Sequence, residues 1–249
     1  MDIDNINIEL ELAKKAAKEA GKLLLGNREV LNKPVGSSKK DTKLIADLKA
    51  ENLIIDIVAE KSNYPILAEE SGKSADELGN IFWVIDPLDG TANYNRGIPI
   101  CCVSIGLVRD MKPILGVIYD FNNDDIYVGD KFSNISTMND VPINVSNKET
   151  KEDSILITGL PHNSDYSKES LSKMVKDMQT WKKVRMIGSA AIAACYIASG
   201  KGDKYQEKGI YLWDIIAGAA IVESAGGNAE ILNLKENFQV DVVFSNSKI

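Results

Sequence analysis

Residues 83–91, which read Trp-Val-Ile-Asp-Pro-Leu-Asp-Gly-Thr, constrain the fold more than any other part of the chain. The apolar run over residues 81–85 is typical of a buried strand, and it ends at Asp86, where a proline and a glycine favour a turn. Asp86 and Asp89 therefore share a turn at the end of a buried strand. Carboxylates held this close repel each other unless a cation neutralises them. Taken alone, the pattern fits either a cation site or a polar turn that caps a strand.

Length and composition exclude several classes of function. The 249 residues, 44% hydrophobic and 26% charged, suit one large domain or two small ones of an ordinary soluble protein. The net charge of -7 argues against general binding of nucleic acid, which depends on Lys and Arg. We find no run of about 18 apolar residues that would predict a membrane span. The N-terminus is acidic and polar, unlike a secretory signal.

The cysteines add an expectation about location. Cys101, Cys102 and Cys195 form neither a disulfide framework nor a zinc spacing. Unpaired cysteines favour a reducing compartment, so we expect a cytoplasmic protein. From the net charge and the lack of a long apolar run, we expect neither a nucleic acid nor a membrane as its partner.

Hydrophobic periodicity differs between the two halves of the chain. In the first half it predicts helices over residues 8–25 and 47–61, a basic loop over 34–40, and strands over 64–68, 81–85, 100–108, 113–119 and 125–128. In the second half, strands over 155–158 and 184–186 alternate with helices over 168–180, 190–198 and 213–225, which is typical of a layered α/β arrangement. We predict an α+β part, residues 1–145, and an α/β part, residues 146–249, within one compact unit.

Acidic residues recur at the ends of predicted strands and at the start of a predicted helix. Glu69 and Glu70 follow the strand over residues 64–68, as Asp86 follows its own strand. Asp214 lies near the start of the helix over 213–225, where Asp is also a common cap. An oxygen-only set of ligands, with no His/Cys cluster, suits a hard cation such as Mg²⁺. The single histidine, His162, is interpreted as a surface or substrate-neighbouring residue.

Two segments resemble the signatures of the inositol monophosphatase family. Residues 83–94, ending Asp-Gly-Thr-Ala-Asn-Tyr, are similar to the first signature, and residues 213–227, beginning Trp-Asp-Ile-Ile-Ala-Gly, are similar to the second. The resemblance spans nearly the whole chain. It implies an α+β / α/β fold, a layered α-β-α-β-α sandwich of the inositol monophosphatase / fructose-bisphosphatase type. It also implies a magnesium-dependent phosphomonoesterase that acts on a small phosphorylated alcohol by in-line attack of water, with inositol monophosphate as the expected substrate.

The resemblance assigns metal ligands position by position. Glu69, Asp86 and the carbonyl of Leu88 would hold one Mg²⁺, and Asp86, Asp89 and Asp214 would hold a second. A third, weaker ion would lie near Glu69, so two to three ions are expected.

The remaining roles also come from the resemblance. Asp47 and Thr91 would orient and activate the attacking water, and Glu70 would assist catalysis without contacting an ion. The amides of Gly90 and Thr91, at the start of a predicted helix, would bind phosphate. Contacts to the substrate alcohol are expected from Gly188, Ser189, Ala190 and Glu207.

Several alternatives stay open at this stage. Relatives within the superfamily hydrolyse fructose 1,6-bisphosphate or 3'-phosphoadenosine 5'-phosphate, and a non-catalytic binding or regulatory protein could keep the same fold. A calcium module of the EF-hand type is disfavoured because the acids are spread over about 150 residues rather than one loop. The family also leads us to expect a homodimer and sensitivity to lithium.

Overall fold

The computed structural model describes residues 3–37, 42–160 and 165–249. The helices are α1 (Ile3–Gly26), α2 (Arg28–Leu31), α3 (Ile45–Ala59), α4 (Thr91–Arg96), α5 (Lys168–Met178), α6 (Ala190–Ala198) and α7 (Leu212–Ser224). The strands are β1 (Pro34–Ser37), β2 (Thr42–Leu44), β3 (Ile66–Ala68), β4 (Gly72–Lys73), β5 (Ile81–Asp89), β6 (Cys102–Arg109), β7 (Lys112–Asp120), β8 (Asp125–Asp130), β9 (Ile135–Met138), β10 (Val141–Pro142), β11 (Ile155–Thr158), β12 (Lys183–Arg185), β13 (Lys204–Tyr211), β14 (Asn228–Leu232) and β15 (Gln239–Ser245). A 3-10 turn covers Lys151–Asp153.

The larger sheet places two acidic strand ends side by side. Its order is β10-β9-β8-β7-β6-β5-β3-β4, and β3 runs parallel to β5 with Ala68 opposite Ile85. Because parallel neighbours end at the same edge of a sheet, the residue after each strand lies beside its counterpart. The amide of Glu69 donates to the carbonyl of Ile85 at 3.1 Å. This register brings Glu69 next to Asp86.

The smaller sheet has the order β12-β11-β13-β15-β14, in which β11 is parallel to β12 and β13. Helices α6 and α7 lie between the two sheets, and their apolar residues share one core with both. Glycines on β6, β7 and β8 allow α7 to pack closely against the larger sheet. A Cβ on Gly116 would come within 2.1 Å of the carbonyl oxygen of Ala217, and one on Gly129 within 2.4 Å of Ile221. Any side chain there would push α7 off the sheet.

The outer face of the larger sheet is covered by α1 and α3. Helix α1 buries a stripe of small and aliphatic residues at helical spacing, which explains its close approach to α3: Leu12, Ala13, Ala16, Ala17, Ala20 and Leu24. Helix α5 lies against the smaller sheet, where Asp177 accepts a hydrogen bond from Gln206 at 3.3 Å. The layers run α, β, α, β, α, and this confirms the predicted fold class.

Most elements predicted from periodicity are present, and one prediction is wrong. Residues 34–37 form strand β1, paired antiparallel with β2, rather than the start of a loop; the rest of the predicted loop, residues 38–40, lies outside the described residues. Pro34 is the first residue of a two-stranded pair, a position where its missing N–H is tolerated. The two sheets fall on either side of residue 145, and the division into two parts stays a prediction. Among residues 3–37, 42–160 and 165–249, the structure contains no helix that could span a membrane.

Candidate metal and phosphate site

Carboxylates from both parts of the chain meet at the edge where β3 and β5 end. Asp86 and Asp89 are buried, with 2% and 8% of their surface exposed, while Glu69 is exposed. Asp214 reaches the same place from the first turn of α7. Hydrogen bonds hold one oxygen of each buried acid: the amide of Leu88 donates to Asp86 Oδ1 at 2.9 Å. A carboxylate held at one oxygen can still bind a ligand through the other.

Burial and neighbouring acids shift the pKa values of Asp86, Asp89 and Asp214 upward. Burial raises the pKa of Asp86 well above its usual range, and repulsion from Glu69, Asp89 and Asp214 raises it further. Burial also raises the pKa of Asp214 well above normal, followed by repulsion from Glu69 and Asp89. The pKa of Asp89 is raised by burial, although a hydrogen bond from Ser189 opposes the change. A bound cation would stabilise the charged form of each of these acids and so lower its raised pKa.

The donor set fits a hard divalent cation by its chemistry. It consists of carboxylate and carbonyl oxygens, which Mg²⁺ prefers. As the side chains stand, no three His, Cys, Asp or Glu residues within the described ranges are arranged to hold an ion. Like charges repel, so binding would draw the side chains of Glu69, Asp86, Asp89 and Asp214 closer together.

Helices α3 and α7 begin with the same local device. In each, the side chain of the N-cap residue makes no capping hydrogen bond, Leu44 in α3 and Tyr211 in α7. An aspartate at the third helical position accepts the N-cap amide instead: Asp47 Oδ2 from Leu44 at 2.8 Å, and Asp214 Oδ2 from Tyr211 at 2.8 Å. This is one half of a capping box. Asp214 is therefore a cap, as its position suggested, and it also belongs to the acidic cluster.

Thr91 connects the acidic turn to α3. Its hydroxyl lies 2.8 Å from Asp47 Oδ1 and 3.0 Å from the carbonyl oxygen of Leu88. A hydroxyl has one hydrogen to donate and two lone pairs, so Thr91 can donate to Asp47 and accept from a third group. Gly90 precedes it with φ 90° and ψ 35°, and a Cβ there would lie 2.8 Å from the carbonyl oxygen of Ile100. Only glycine fits this turn.

The predicted substrate loop is attached to Asp89. Ser189 is the N-cap of α6, where its Oγ accepts from the amide of Ile192 at 3.1 Å and donates to Asp89 Oδ2 at 2.5 Å. The amide of Ala191 also donates to Asp89 Oδ2, at 2.7 Å. The side chain of Ser189 is thus used within the protein, and Gly188 and Ala190 are its more accessible neighbours.

Glu207, on β13, is a partly buried carboxylate. It accepts a hydrogen bond from the hydroxyl of Tyr205 at 2.9 Å, and a Cβ on Gly159 would come within 2.3 Å of it. Burial raises its pKa to about 7, opposed by the bond from Tyr205 and reinforced by repulsion from Asp89. Glu207 therefore belongs to the electrostatic surroundings of the acids. His162 lies outside the described residues.

Comparison with known proteins identifies the family. The model of the inositol monophosphatase family matches residues 7–246. The chain belongs to the inositol monophosphatase family.

Individual relatives carry two kinds of name. The chain is 34% identical over 222 residues to an inositol-1-monophosphatase of Mesorhizobium japonicum, covering 88% of this chain and 83% of the relative. It is 35% identical over 217 residues to the Nus factor SuhB of Xylella fastidiosa, covering 86% and 78%. The solved structure of an inositol monophosphatase from Anabaena superimposes with a TM-score of 0.86 at 32% identity, over 98% of this chain and 93% of that one.

Membership of the inositol monophosphatase family confirms the predicted enzyme class, a phosphoric monoester hydrolase acting on small phosphate esters. The family uses divalent metal ions, which agrees with the oxygen-only donor set. The role of each site residue stays a prediction, since similarity of whole chains does not test single positions.

Sequence reasoning missed Glu51, which supports the site. Glu51, on α3, is 2% exposed, and its two oxygens accept the amides of Glu70 and Ser71, both at 2.8 Å. It therefore fixes the turn that carries Glu69. The side chain of Glu70, 7% exposed, forms an ion pair with Lys43. The available signal was the spacing of Asp47 and Glu51, which puts two acids on one face of a helix that otherwise buries apolar residues there.

Proposed function

We propose that this inositol monophosphatase family member is a magnesium-dependent phosphomonoesterase whose substrate is an inositol monophosphate. The observation that carries the proposal is a group of four acids, Glu69, Asp86, Asp89 and Asp214, beside the turn of residues 86–91. Besides burial, repulsion from Glu69, Asp89 and Asp214 raises the pKa of Asp86, and repulsion from Glu69 and Asp89 raises the pKa of Asp214. Such repulsion is costly unless the site works with a cation.

The residues that would hold the ions follow from the resemblance to the family's signatures. Two Mg²⁺ ions would use Glu69, Asp86 and the carbonyl of Leu88, and Asp86, Asp89 and Asp214, with a third near Glu69. Bound Mg²⁺ supplies positive charge against the phosphoryl group and makes water a better nucleophile. In phosphoryl transfer, positioning and electrostatics account for most of the catalysis. No covalent phosphoenzyme is required.

Asp47 and Thr91 would orient the attacking water and take its proton. Thr91 Oγ1 donates to Asp47 Oδ1 at 2.8 Å, which leaves its lone pairs free to accept from water. Asp47 is itself fixed by the amide of Leu44, so Thr91 has a defined orientation before substrate arrives. Glu70 would assist from its ion pair with Lys43.

The phosphate and the alcohol would occupy neighbouring parts of the site. The amides of Gly90 and Thr91 would donate to the phosphate oxygens. The alcohol would then face residues 188–190, namely Gly188, Ser189 and Ala190, with Glu207 on the other side. Glu207, whose pKa is raised to about 7, could accept from a substrate hydroxyl at higher pH.

The proposal is tested by phosphate release from a panel of esters, with Mg²⁺ and with a chelator. The panel contains inositol 1-phosphate, fructose 1,6-bisphosphate and 3'-phosphoadenosine 5'-phosphate. We expect inositol 1-phosphate to have the highest kcat/KM, to depend on Mg²⁺, and to be turned over by wild type but not by Asp86→Asn. Preference for another ester would contradict the substrate, and wild-type turnover in Asp86→Asn would contradict the site.

A binding role is the second candidate because relatives from three organisms carry the name Nus factor SuhB. Release of phosphate from none of the esters would favour this role, with the acids left as structural caps.

Four further expectations stay predictions: a homodimer, lithium sensitivity, a cytoplasmic location and the lack of a nucleic-acid partner. Light scattering, lithium titration, cell fractionation and RNA-binding assays test them in that order.

A further inference from the structure

Asn93, the third residue of α4, joins the turn of residues 86–91 to a segment 94 residues later in the chain. Its Nδ2 donates to the carbonyl of Ile187 at 2.8 Å and to the carbonyl of Ile100 at 2.8 Å. The carbonyl of Gly188 lies 3.3 Å from the same nitrogen. An amide nitrogen carries two hydrogens, so the two shorter bonds use its full capacity to donate.

The two acceptors belong to different walls of the site. The carbonyl of Ile100 is the group that a Cβ on Gly90 would contact at 2.8 Å, so it lines the turn itself. Ile187 precedes Gly188, whose φ of +72° turns the chain into the substrate loop. A Cβ on Gly188 would lie 3.2 Å from Asn93 Nδ2. The start of the loop therefore rests directly on the amide of Asn93.

The other end of the same loop is held by Asp89, through Ser189 and Ala191. Asp89 and Asn93 stand on either side of Gly90 and Thr91. The loop of residues 187–191 is thus fixed at two points to the segment that carries the predicted phosphate amides. Loss of one point would let the loop rotate about the other.

We propose that Asn93 is a positioning residue that fixes the loop of residues 187–191 relative to the turn of residues 86–91. In this way Asn93 helps to determine which alcohol the site accepts. The inference rests on the proposed function, since it concerns the alcohol end of that same site. An ester whose alcohol contacts the loop depends on Asn93. Inorganic phosphate, which has no alcohol, binds without that contact.

The test compares Asn93→Ala and Asn93→Asp with wild type in the full-length protein. A misplacement near 1 Å can reduce turnover by about 100-fold, so we expect kcat/KM for inositol 1-phosphate to fall by roughly 10- to 100-fold. The inhibition constant of inorganic phosphate should stay within about twofold, because the phosphate contacts remain. Asn93→Asp should lose at least as much as Asn93→Ala, since its carboxylate would face the carbonyls of Ile100 and Ile187.

Asn246→Ala is the matched control for a merely structural effect. Asn246 Nδ2 also donates two hydrogen bonds, to Ser146 Oγ at 2.9 Å and to the carbonyl of Lys148 at 2.8 Å, just beyond β15. We expect this variant to lower Tm while kcat/KM and the phosphate inhibition constant keep their wild-type values.

Two results would overturn the inference alone: an unchanged kcat/KM in Asn93→Ala, or an inhibition constant that rises in step with KM. If wild type prefers another ester of the panel, that ester replaces inositol 1-phosphate in the comparison. A wild-type protein that releases phosphate from no ester would overturn the proposed function and this inference together.

Discussion

The starts of α3 and α7 are locally alike and chemically different. Both use an aspartate at the third helical position to accept the amide of a hydrophobic N-cap residue. The second oxygen of Asp47 faces the hydroxyl of Thr91, whereas Asp214 faces Glu69 and Asp89, which raise its pKa. The same capping device therefore presents a proton acceptor in one helix and a candidate metal ligand in the other. Tertiary neighbours, not the local sequence, decide which.

Among variants at the two helix starts, the largest expected effect comes from Asp214→Asn. The amide oxygen of asparagine can still accept from Tyr211, but its NH₂ group would then face the acids, where an oxygen ligand is needed. We expect phosphate release to fall by about 1,000-fold, the upper end of the range for removing one group that stabilises transition-state charge. The stabilisation of the fold by added Mg²⁺, measured as the change in Tm, should also be lost. A variant that keeps the Mg²⁺-dependent rise in Tm would show that Asp214 is only a cap.

Asp47→Asn tests whether the aspartates at the starts of α3 and α7 have different roles. The NH₂ group of asparagine would donate to Thr91 Oγ1 and reverse the present hydrogen bond, so Thr91 could no longer pass a proton to residue 47. We expect phosphate release to fall by roughly 100-fold, as for loss of a general base, while Mg²⁺ still raises Tm as in wild type. If Asp47→Asn and Asp214→Asn lose the Mg²⁺-dependent rise in Tm to the same extent, the proposed difference between Asp47 and Asp214 is contradicted.

Glu51→Gln sharpens the comparison further along α3. A glutamine can accept only one of the two amides of Glu70 and Ser71 through its oxygen, so the turn that carries Glu69 should loosen. Loss of such a supporting contact weakens metal affinity by about 10- to 100-fold, and we expect about 10-fold here. Glu9→Gln is the control, since Glu9 is a buried acid on α1. An equal loss of Mg²⁺ affinity in both variants, by calorimetry, would contradict the role of Glu51.

The smallest effect concerns pH and Glu207. Its folded pKa of about 7 lies above the ordinary value of 4.5, so the folded state holds this proton more tightly than the unfolded chain. The resulting stability is fully present below about pH 4.5, declines as pH rises to about 7, and is absent above it. Measured with a chelator, the Tm of wild type should therefore fall relative to that of Glu207→Gln as pH rises through that window. The difference in Tm should then level off above pH 7.

Catalysis should follow the same proton on Glu207. The Glu207 carboxyl group accepts a substrate hydroxyl more strongly when it is deprotonated, so kcat/KM for inositol 1-phosphate should rise a few-fold through pH 7, as for a weak hydrogen-bonding contribution. The step should be missing in Glu207→Gln. A step that persists in the variant would assign the titration to another group.

Local patterns predicted the strand ends but not their supporting contacts. The turn after β5 could be read from the sequence because an apolar run and a following proline and glycine act over neighbouring residues. Asp214 could not be distinguished from a simple cap, since Glu69 and Asp89 approach it only through folding. Glu51 was missed because an acid in a helix ordinarily faces solvent. The strand at Pro34 was missed because proline and lysines are more typical of a loop.

The central claim is that acids from both parts of the chain form one divalent cation site. The most direct test is a crystal structure grown with Mn²⁺ and inorganic phosphate, with anomalous scattering used to locate the metal. We predict anomalous peaks within about 2.0–2.3 Å of carboxylate oxygens, with Asp86 as a ligand shared by two ions and Asp214 bound to one of them. Peaks that lie elsewhere, or the absence of any peak between Asp86 and Asp214, would contradict the account.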